Sequence, residues 1–221
     1  GLEGAGEWET LEKMLPDFHG KRVLDLGCGY GWHCLYAADH GAVEITGVDI
    51  SEKMLAVARE KSQDKPITYL CSALEDIAFP PASFDVVISS LCFHYIQSFE
   101  DIVRKVETML ERGGSFVFTV EHPVFTAQGS QDWHYDGEGQ IMHFPVDRYF
   151  YEGERQACFL GETVTKYHRT LTAYVNGLLA AGFEITGLVE PQPEAALLDT
   201  VPGMRDELRR PMMLIIRAVK Q

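Results

Sequence analysis

The 221-residue sequence contains no C-x-x-C pair, and its five cysteines, Cys28, Cys34, Cys71, Cys92 and Cys158, are odd in number. That pattern suggests neither a disulfide framework nor a zinc site, and it makes a reducing cytoplasm the expected setting. Long apolar runs are also missing, since none approaches the roughly 18 residues of a membrane-spanning helix. The opening stretch GLEGAGEWET has neither a basic n-region nor an apolar h-region. We therefore expect a soluble, unexported protein with no membrane partner. Position 1 is Gly rather than Met, which leaves open a contribution from residues upstream of Gly1. Cations are scarce as well: 19 Lys and Arg stand against 33 Asp and Glu, for a formal net charge of −14 at pH 7. Nucleic-acid binding relies on a Lys/Arg surface that releases phosphate counterions. The cluster to be found here is Arg209-Arg210, which reads as a solvated helix end. No nucleic-acid partner is expected.

What is present fits one globular domain over residues 1–221, with 46% hydrophobic and 24% charged residues and enough apolar material for a full core. From residue 21 to about 120, strand-like apolar runs alternate with helix-period segments, the pattern of a parallel sheet with helices on both faces. The strands read as 22–26, 43–50, 67–71, 84–89 and 115–120. Helices are expected over 32–40, stopped by Gly41, over 51–61 behind an N-cap at Ser51, and from Ser98 to Gly113-Gly114. At Ser98 the spacing to Asp101 suggests a capping box. Residues 122–167 lack a clear period, yet they hold nine of the chain's 12 Phe, 9 Tyr and 3 Trp. We read them as an irregular insertion that packs as a lid rather than a disordered linker. A helix over 169–182, a strand over 183–190, a polar Pro-rich excursion over 190–210 and a strand over 212–219 complete the chain. The last two strands have no long crossover helix between them, which permits an antiparallel hairpin at the sheet edge. The fold class is thus α/β, a Rossmann-like doubly wound seven-stranded sheet with strands 1 to 5 parallel.

The chemistry starts at VLDLGCGYG, residues 23–31, a strand that ends in a glycine turn and runs into a helix. Such a turn aims backbone N–H groups and a helix N-terminus at a ligand. The dinucleotide fingerprint G-x-G-x-x-G would put its third glycine at position 32, where this chain has Trp32. No G-K-[ST] follows, so a P-loop is excluded. Asp25, inside the strand, is an acid that needs a partner when buried.

These residues resemble class I S-adenosylmethionine-dependent methyltransferases, whose first motif reads like VLDLGCGYG. The likeness extends over residues 21 to about 121, and more loosely to the end through the strand order. It implies a site for S-adenosylmethionine, with S-adenosylhomocysteine as product, in which Gly27 and Gly29 seat the methionine end and Asp25 orients either the loop or the cofactor's amino group, directly or through water. Asp49, closing the second strand, then accepts from the ribose hydroxyls, and Ile50 covers an adenine face. An acid in that position also serves dehydrogenases, so it supports a nucleoside without choosing between classes; its alternative reading is a helix N-cap. The segment CSALEDIAF, residues 71–79, matches the one that holds the adenine edge, but Ala73 stands where the family often has Asp. Backbone contacts at Ala73 and Leu74 are carried over, the acid's role is not, and Glu75 is a badly placed substitute. Ser90, at the end of the fourth strand, is expected beside the transferring methyl. Neither an Asn/Asp-Pro-Pro-aromatic run nor a Pro-Cys nucleophile is found there, since Cys92 follows Leu91. Both usual signatures of nucleobase methylation are lost.

Methyl transfer from a sulfonium asks mainly for alignment and exclusion of water, requires no metal or covalent nucleophile, and gains from a general base near neutral pKa. His122, after the fifth strand, and His168, before a helix, are the candidates. Their alternative readings are a turn residue ahead of Pro123 and a capping or core histidine, respectively. His94 is read as packing near the cofactor, while Tyr95, Trp133, His134 and Tyr167 are candidate walls. Substrate choice falls to the insertion, whose aromatic, Lys-poor character points to a small, partly apolar O, N or S acceptor. Two other classes stay open: a nicotinamide oxidoreductase, and a non-catalytic module that binds S-adenosylmethionine.

Overall fold

Runs of aliphatic residues build the sheet and amphipathic segments cover it, in a computed structural model that describes residue 2, residues 6–159 and residues 161–221. In chain order the first half contains α1 (Trp8–Met14), β1 (Arg22–Leu26), α2 (Trp32–Asp39), β2 (Glu44–Asp49), α3 (Glu52–Lys61), β3 (Ile67–Cys71), β4 (Phe84–Ser90), α4 (Phe99–Met109) and β5 (Leu110–Glu121). The second half contains α5 (Pro123–Thr126), β6 (His134–Tyr135), β7 (Ile141–His143), β8 (Gly153–Phe159), β9 (Glu162–His168), α6 (Leu171–Ala180), β10 (Phe183–Val189), α7 (Ala195–Thr200) and β11 (Met213–Lys220). The main sheet has seven strands in the order β10-β11-β5-β4-β1-β2-β3. β1 to β5 run parallel, and β11 pairs antiparallel with both β5 and β10.

The two faces follow from the strand period of two. Leu24, Leu26 and Val87 turn to the side covered by α4 and α6, whereas Val23, Val86 and Ile88 turn to the side of α2 and α3. On α4 the buried positions Phe99, Ile102, Val103, Val106 and Met109 recur at helical spacing and form one stripe. α3 begins at Ser51, whose side chain accepts from Met54 N–H at 3.4 Å, and it carries Glu52 in its first turn and Arg59 and Lys61 in its last. Both the cap and the charges suit the helix dipole. β1 lies between β2 and β4, so the connections leaving β1 and β4 diverge to opposite faces and open a crevice at the carboxyl edge.

Four local expectations are corrected. The Ser98 side chain caps no amide: its hydroxyl donates instead to Asp101 Oδ2 at 2.5 Å, and Asp101 also pairs with Arg104. The helix it opens ends at Met109, before the glycines, because buried Leu110 already enters the sheet. Residues 122–167 are not irregular throughout: β6 pairs with β7 and β8 with β9 as antiparallel hairpins. Arg210 is not at a solvated end. It is buried, ion-paired to Glu207, with its guanidinium 4.8 Å from the Phe125 ring and 5.1 Å from those of Trp133 and Phe144. This stack of rings on a cation fastens the insertion to the segment ahead of β11.

Phe99 joins the two helices of one face, touching Phe93, Phe118 and Tyr174 with ring centroids 5.8, 5.6 and 4.9 Å away. Truncating it to alanine should cost about 3–5 kcal/mol, the usual loss for a buried phenylalanine. Urea unfolding of Phe99→Ala should show a lower midpoint at unchanged slope; an unshifted midpoint would contradict this packing.

Candidate active site

The crevice is a cavity of about 1040 Å³ at the carboxyl edge of the sheet. Its floor is the loop after β1. Gly27, Gly29 and Gly31 have φ of 73°, 53° and 75°, a region that side chains disfavour. A Cβ on Gly27 would also stand 2.4 Å from Cys92 Sγ, so both conformation and space demand glycine there. The loop is tied to β2 twice: Gly27 N–H and Cys28 N–H donate to Val48 O at 2.8 and 2.9 Å. Asp49 completes the tie. Its Oδ2 accepts from Gly29 N–H and its Oδ1 from Ser51 N–H, each at 2.8 Å, which joins the glycine turn to the start of α3.

Of the residues singled out from the sequence, Gly27, Gly29, Asp49, Ile50, Ala73, Leu74 and Ser90 all line this one cavity. Trp32 lines it too, its indole at the first position of α2 and covered by Lys61 Nζ at 3.9 Å. Beyond Ser90, Leu91 has φ of 51°, a strained value for a leucine. Its N–H is held by Thr119, 3.0 Å from both the backbone and the side-chain oxygen.

Asp25 does not line the cavity. It is buried beneath the loop, where Cys34 Sγ donates to its Oδ2 at 3.3 Å while Oδ1 has no partner. Burial, with a smaller contribution from the charge of Asp49, pushes its pKa up to about 7. The two histidines expected near the methyl are likewise outside the lining. His122 is the buried N-cap of α5; its Nδ1 accepts from Val124 N–H at 3.0 Å, and its Nε2 lies 2.8 Å from Glu190. His168 is buried with Nδ1 2.8 Å from Thr126 Oγ1 and Nε2 2.8 Å from Tyr149 O. Both imidazoles are thus engaged with protein groups, and burial pushes both pKa values down. Trp133, His134 and Tyr167 do not reach the lining, whereas His94 and Tyr95 do.

The far wall was not foreseen. It contains Glu121, at the end of β5, with Gln131 and Lys166 from the insertion. Lys166 Nζ donates to Glu121 Oε1 at 2.5 Å and to Gln131 Oε1 at 2.9 Å, and Gln131 Nε2 donates to Glu121 Oε2 at 2.7 Å. The one available signal was Glu121 itself, an acid next to the singled-out His122 at a strand's carboxyl end. Among the described residues no group of three or more His, Cys, Asp and Glu comes together to hold a metal ion.

Comparison with known proteins decides the family. Residues 24–118 match the model of a methyltransferase domain. A Listeria monocytogenes structure assigned as an S-adenosylmethionine-dependent methyltransferase is 56% identical, with a TM-score of 0.95 over 100% of this chain and 99% of that one. A Mesorhizobium loti S-adenosylmethionine-dependent methyltransferase is 42% identical, with a TM-score of 0.93 and full coverage of both chains. The chain belongs to the S-adenosylmethionine-dependent methyltransferases. Among curated relatives, a ubiquinone biosynthesis O-methyltransferase of Chromobacterium violaceum is 38% identical over 103 residues. That match spans 45% of this chain and 44% of the relative, so this methyltransferase shares less than half of that protein's length.

S-adenosylmethionine is the cofactor of this methyltransferase, and the cavity has features that fit it. Gly27 and Gly29 present bare backbone in the lining, and the Asp49 carboxylate lines the same cavity at the end of β2. No glycine occupies the helix start that a diphosphate bridge favours, since Trp32 is there.

Because the Asp25 carboxyl has a higher pKa folded than the ordinary aspartate value of 3.8, its contribution to stability is full below that value and is lost as pH rises through about 7. Asp25→Asn should therefore gain on the wild type as pH rises. Its urea midpoint should exceed the wild-type midpoint by more at about pH 8 than at about pH 5. A pH-independent difference would contradict a buried carboxyl whose Oδ1 has no partner.

Proposed function

We propose that this methyltransferase transfers the methyl group of S-adenosylmethionine to an O, N or S atom of a small molecule held in the same cavity. One observation carries the reading: a single space of about 1040 Å³ joins the glycine floor to the Glu121–Gln131–Lys166 wall. That volume lies at the upper end of the range for small-molecule sites, so it suits a cofactor and a second small molecule together. Leu2, Trp8, Phe125, Ser130 and Cys158 contribute to the walls, from the N-terminal segment and from the insertion. Residues 122–167 then act as a cover for the acceptor within one domain spanning 1–221. The O-methyltransferase named above supports a hydroxyl acceptor as the leading case. Free thiols at Cys28, Cys34, Cys71, Cys92 and Cys158 suit a cytoplasmic setting, and no helix among the described residues is long and apolar enough to cross a membrane.

S-adenosylmethionine supplies an electrophilic methyl on a sulfonium, whose positive charge disappears during transfer. The chain's tasks are then to bind, align and exclude water. In this reading Asp49 holds the ribose hydroxyls while keeping its bonds to Gly29 and Ser51, since each carboxylate oxygen can accept more than one hydrogen bond. Ile50, Ala73 and Leu74 flank the adenine, and Gly27, Gly29 and Ser90 border the methionine part. Asp25 acts from beneath, through the loop rather than by contact. His122 and His168 serve the insertion's structure: one caps α5 and the other bridges Thr126 to Tyr149.

Calorimetry should show binding of S-adenosylmethionine and S-adenosylhomocysteine and none of NAD(H). The reverse pattern would overturn the proposal in favour of an oxidoreductase. Asp49→Ala should weaken S-adenosylhomocysteine by ~1–3 kcal/mol, the loss of hydrogen bonds to a charged group. Unchanged affinity would reject the ribose role. Labelled-methyl incorporation into a pool of small metabolites separates an enzyme from a binding module, which would bind the cofactor and transfer nothing.

A further inference from the structure

The far wall of the cavity specifies the kind of acceptor. Glu121 and Lys166 have side chains only 14% and 2% exposed, so both charges are removed from bulk water and depend on each other. Gln131 closes the arrangement by accepting from Lys166 and donating to Glu121. Tyr95 adds a ring 5.8 Å from the ammonium. Among the described residues, Lys166 is the one Lys or Arg in the lining, where Glu7, Asp49, Glu75 and Glu121 place four carboxyl groups. His33 and His94 also line the cavity, but burial pushes each down to about 4, so neither adds a positive charge at neutral pH. A carboxylate or phosphate entering here would bring a further anion into a site whose ammonium already neutralises Glu121.

Glu121 is differently placed. Each of its oxygens accepts one N–H within the wall, which leaves acceptor capacity on a carboxylate that faces the cavity. It ends the strand whose Thr119 is paired with Ser90, at the sheet edge proposed to border the methionine part of the cofactor. We propose that Glu121, fixed by Lys166 and Gln131, is the docking group for the methyl acceptor, and that the acceptor is a neutral or cationic small molecule presenting an O–H or N–H. This rests on the cofactor lying against the glycine loop, as proposed above. Lys166 and Gln131 are positioning residues in this scheme: they hold the carboxylate and make no contact with the acceptor.

The test uses full-length protein saturated with S-adenosylhomocysteine, and three probes of similar shape at millimolar concentration: phenol, benzylamine and benzoate. Ligand-observed NMR should show binding of phenol or benzylamine and none of benzoate. The arm that responds distinguishes a hydroxyl acceptor from an amine. Glu121→Gln should weaken the responding probe on the order of tenfold or more, the effect of losing one hydrogen bond to a charged group, with S-adenosylhomocysteine affinity unchanged. Because Glu121→Gln leaves Lys166 buried without its counter-charge, the double variant Glu121→Gln/Lys166→Met removes both charges and should show the same loss in a folded protein. Preferential binding of benzoate, failure of both donor probes to bind, or wild-type probe affinity in the double variant would each overturn the proposal. Failure of the wild type to bind S-adenosylhomocysteine would instead overturn the cofactor reading, so the two failures are distinguishable.

Discussion

The carboxylate of Asp49 accepts Gly29 N–H on one oxygen and Ser51 N–H on the other, each at 2.8 Å. Three elements meet at that group: the glycine turn after β1, the end of β2 and the first turn of α3. Without it the turn would keep its two bonds to Val48 O but lose the restraint on its second glycine. Hydrogen bonds to an ionised acceptor are among the stronger ones. In the proposed reading the same carboxylate that shapes the floor of the cavity also receives the ribose, so that building the loop and binding the nucleoside become one problem.

The opposite wall is built on a different principle. Glu121 arrives on β5, whereas Lys166 and Gln131 arrive on the insertion, and their mutual hydrogen bonds bring two buried charges into register. Arg210, inside its three aromatic rings, fastens the same insertion from the other side. Breaking a buried pair on one side only is costly, which favours a fixed arrangement of the wall over an adaptable one. Leu91, also in the lining, follows the end of β4 with a left-handed backbone held by Thr119.

Where hydrophobic period and local chemistry agree, the sequence could be read directly. β1 to β5, the Ser51 cap, the glycine turn and Asp49 all have signals within a few residues of themselves. The insertion does not, and β9 shows why. Its inward positions toward the C-terminal end are Lys166 and His168, polar side chains satisfied by Glu121 and Gln131 and by Thr126 and Tyr149. A strand that buries polar residues has no apolar alternation to detect, so a seven-residue hairpin strand reads as irregular. The placement of the histidines was illegible for a related reason: proximity to the strand end in sequence does not say which way a ring turns, and His122 turns toward Glu190 and α5. Glu121, one residue earlier and the last of β5, lines the cavity, whereas His122 already caps α5.

A crystal structure of the chain with S-adenosylhomocysteine is the most direct measurement of the central claim. The account predicts both ribose hydroxyls on the Asp49 carboxylate, with the Gly29 and Ser51 bonds intact and the thioether sulfur directed toward the Glu121 wall. A ribose turned away from Asp49, or a nucleoside lodged outside the glycine floor, would contradict it.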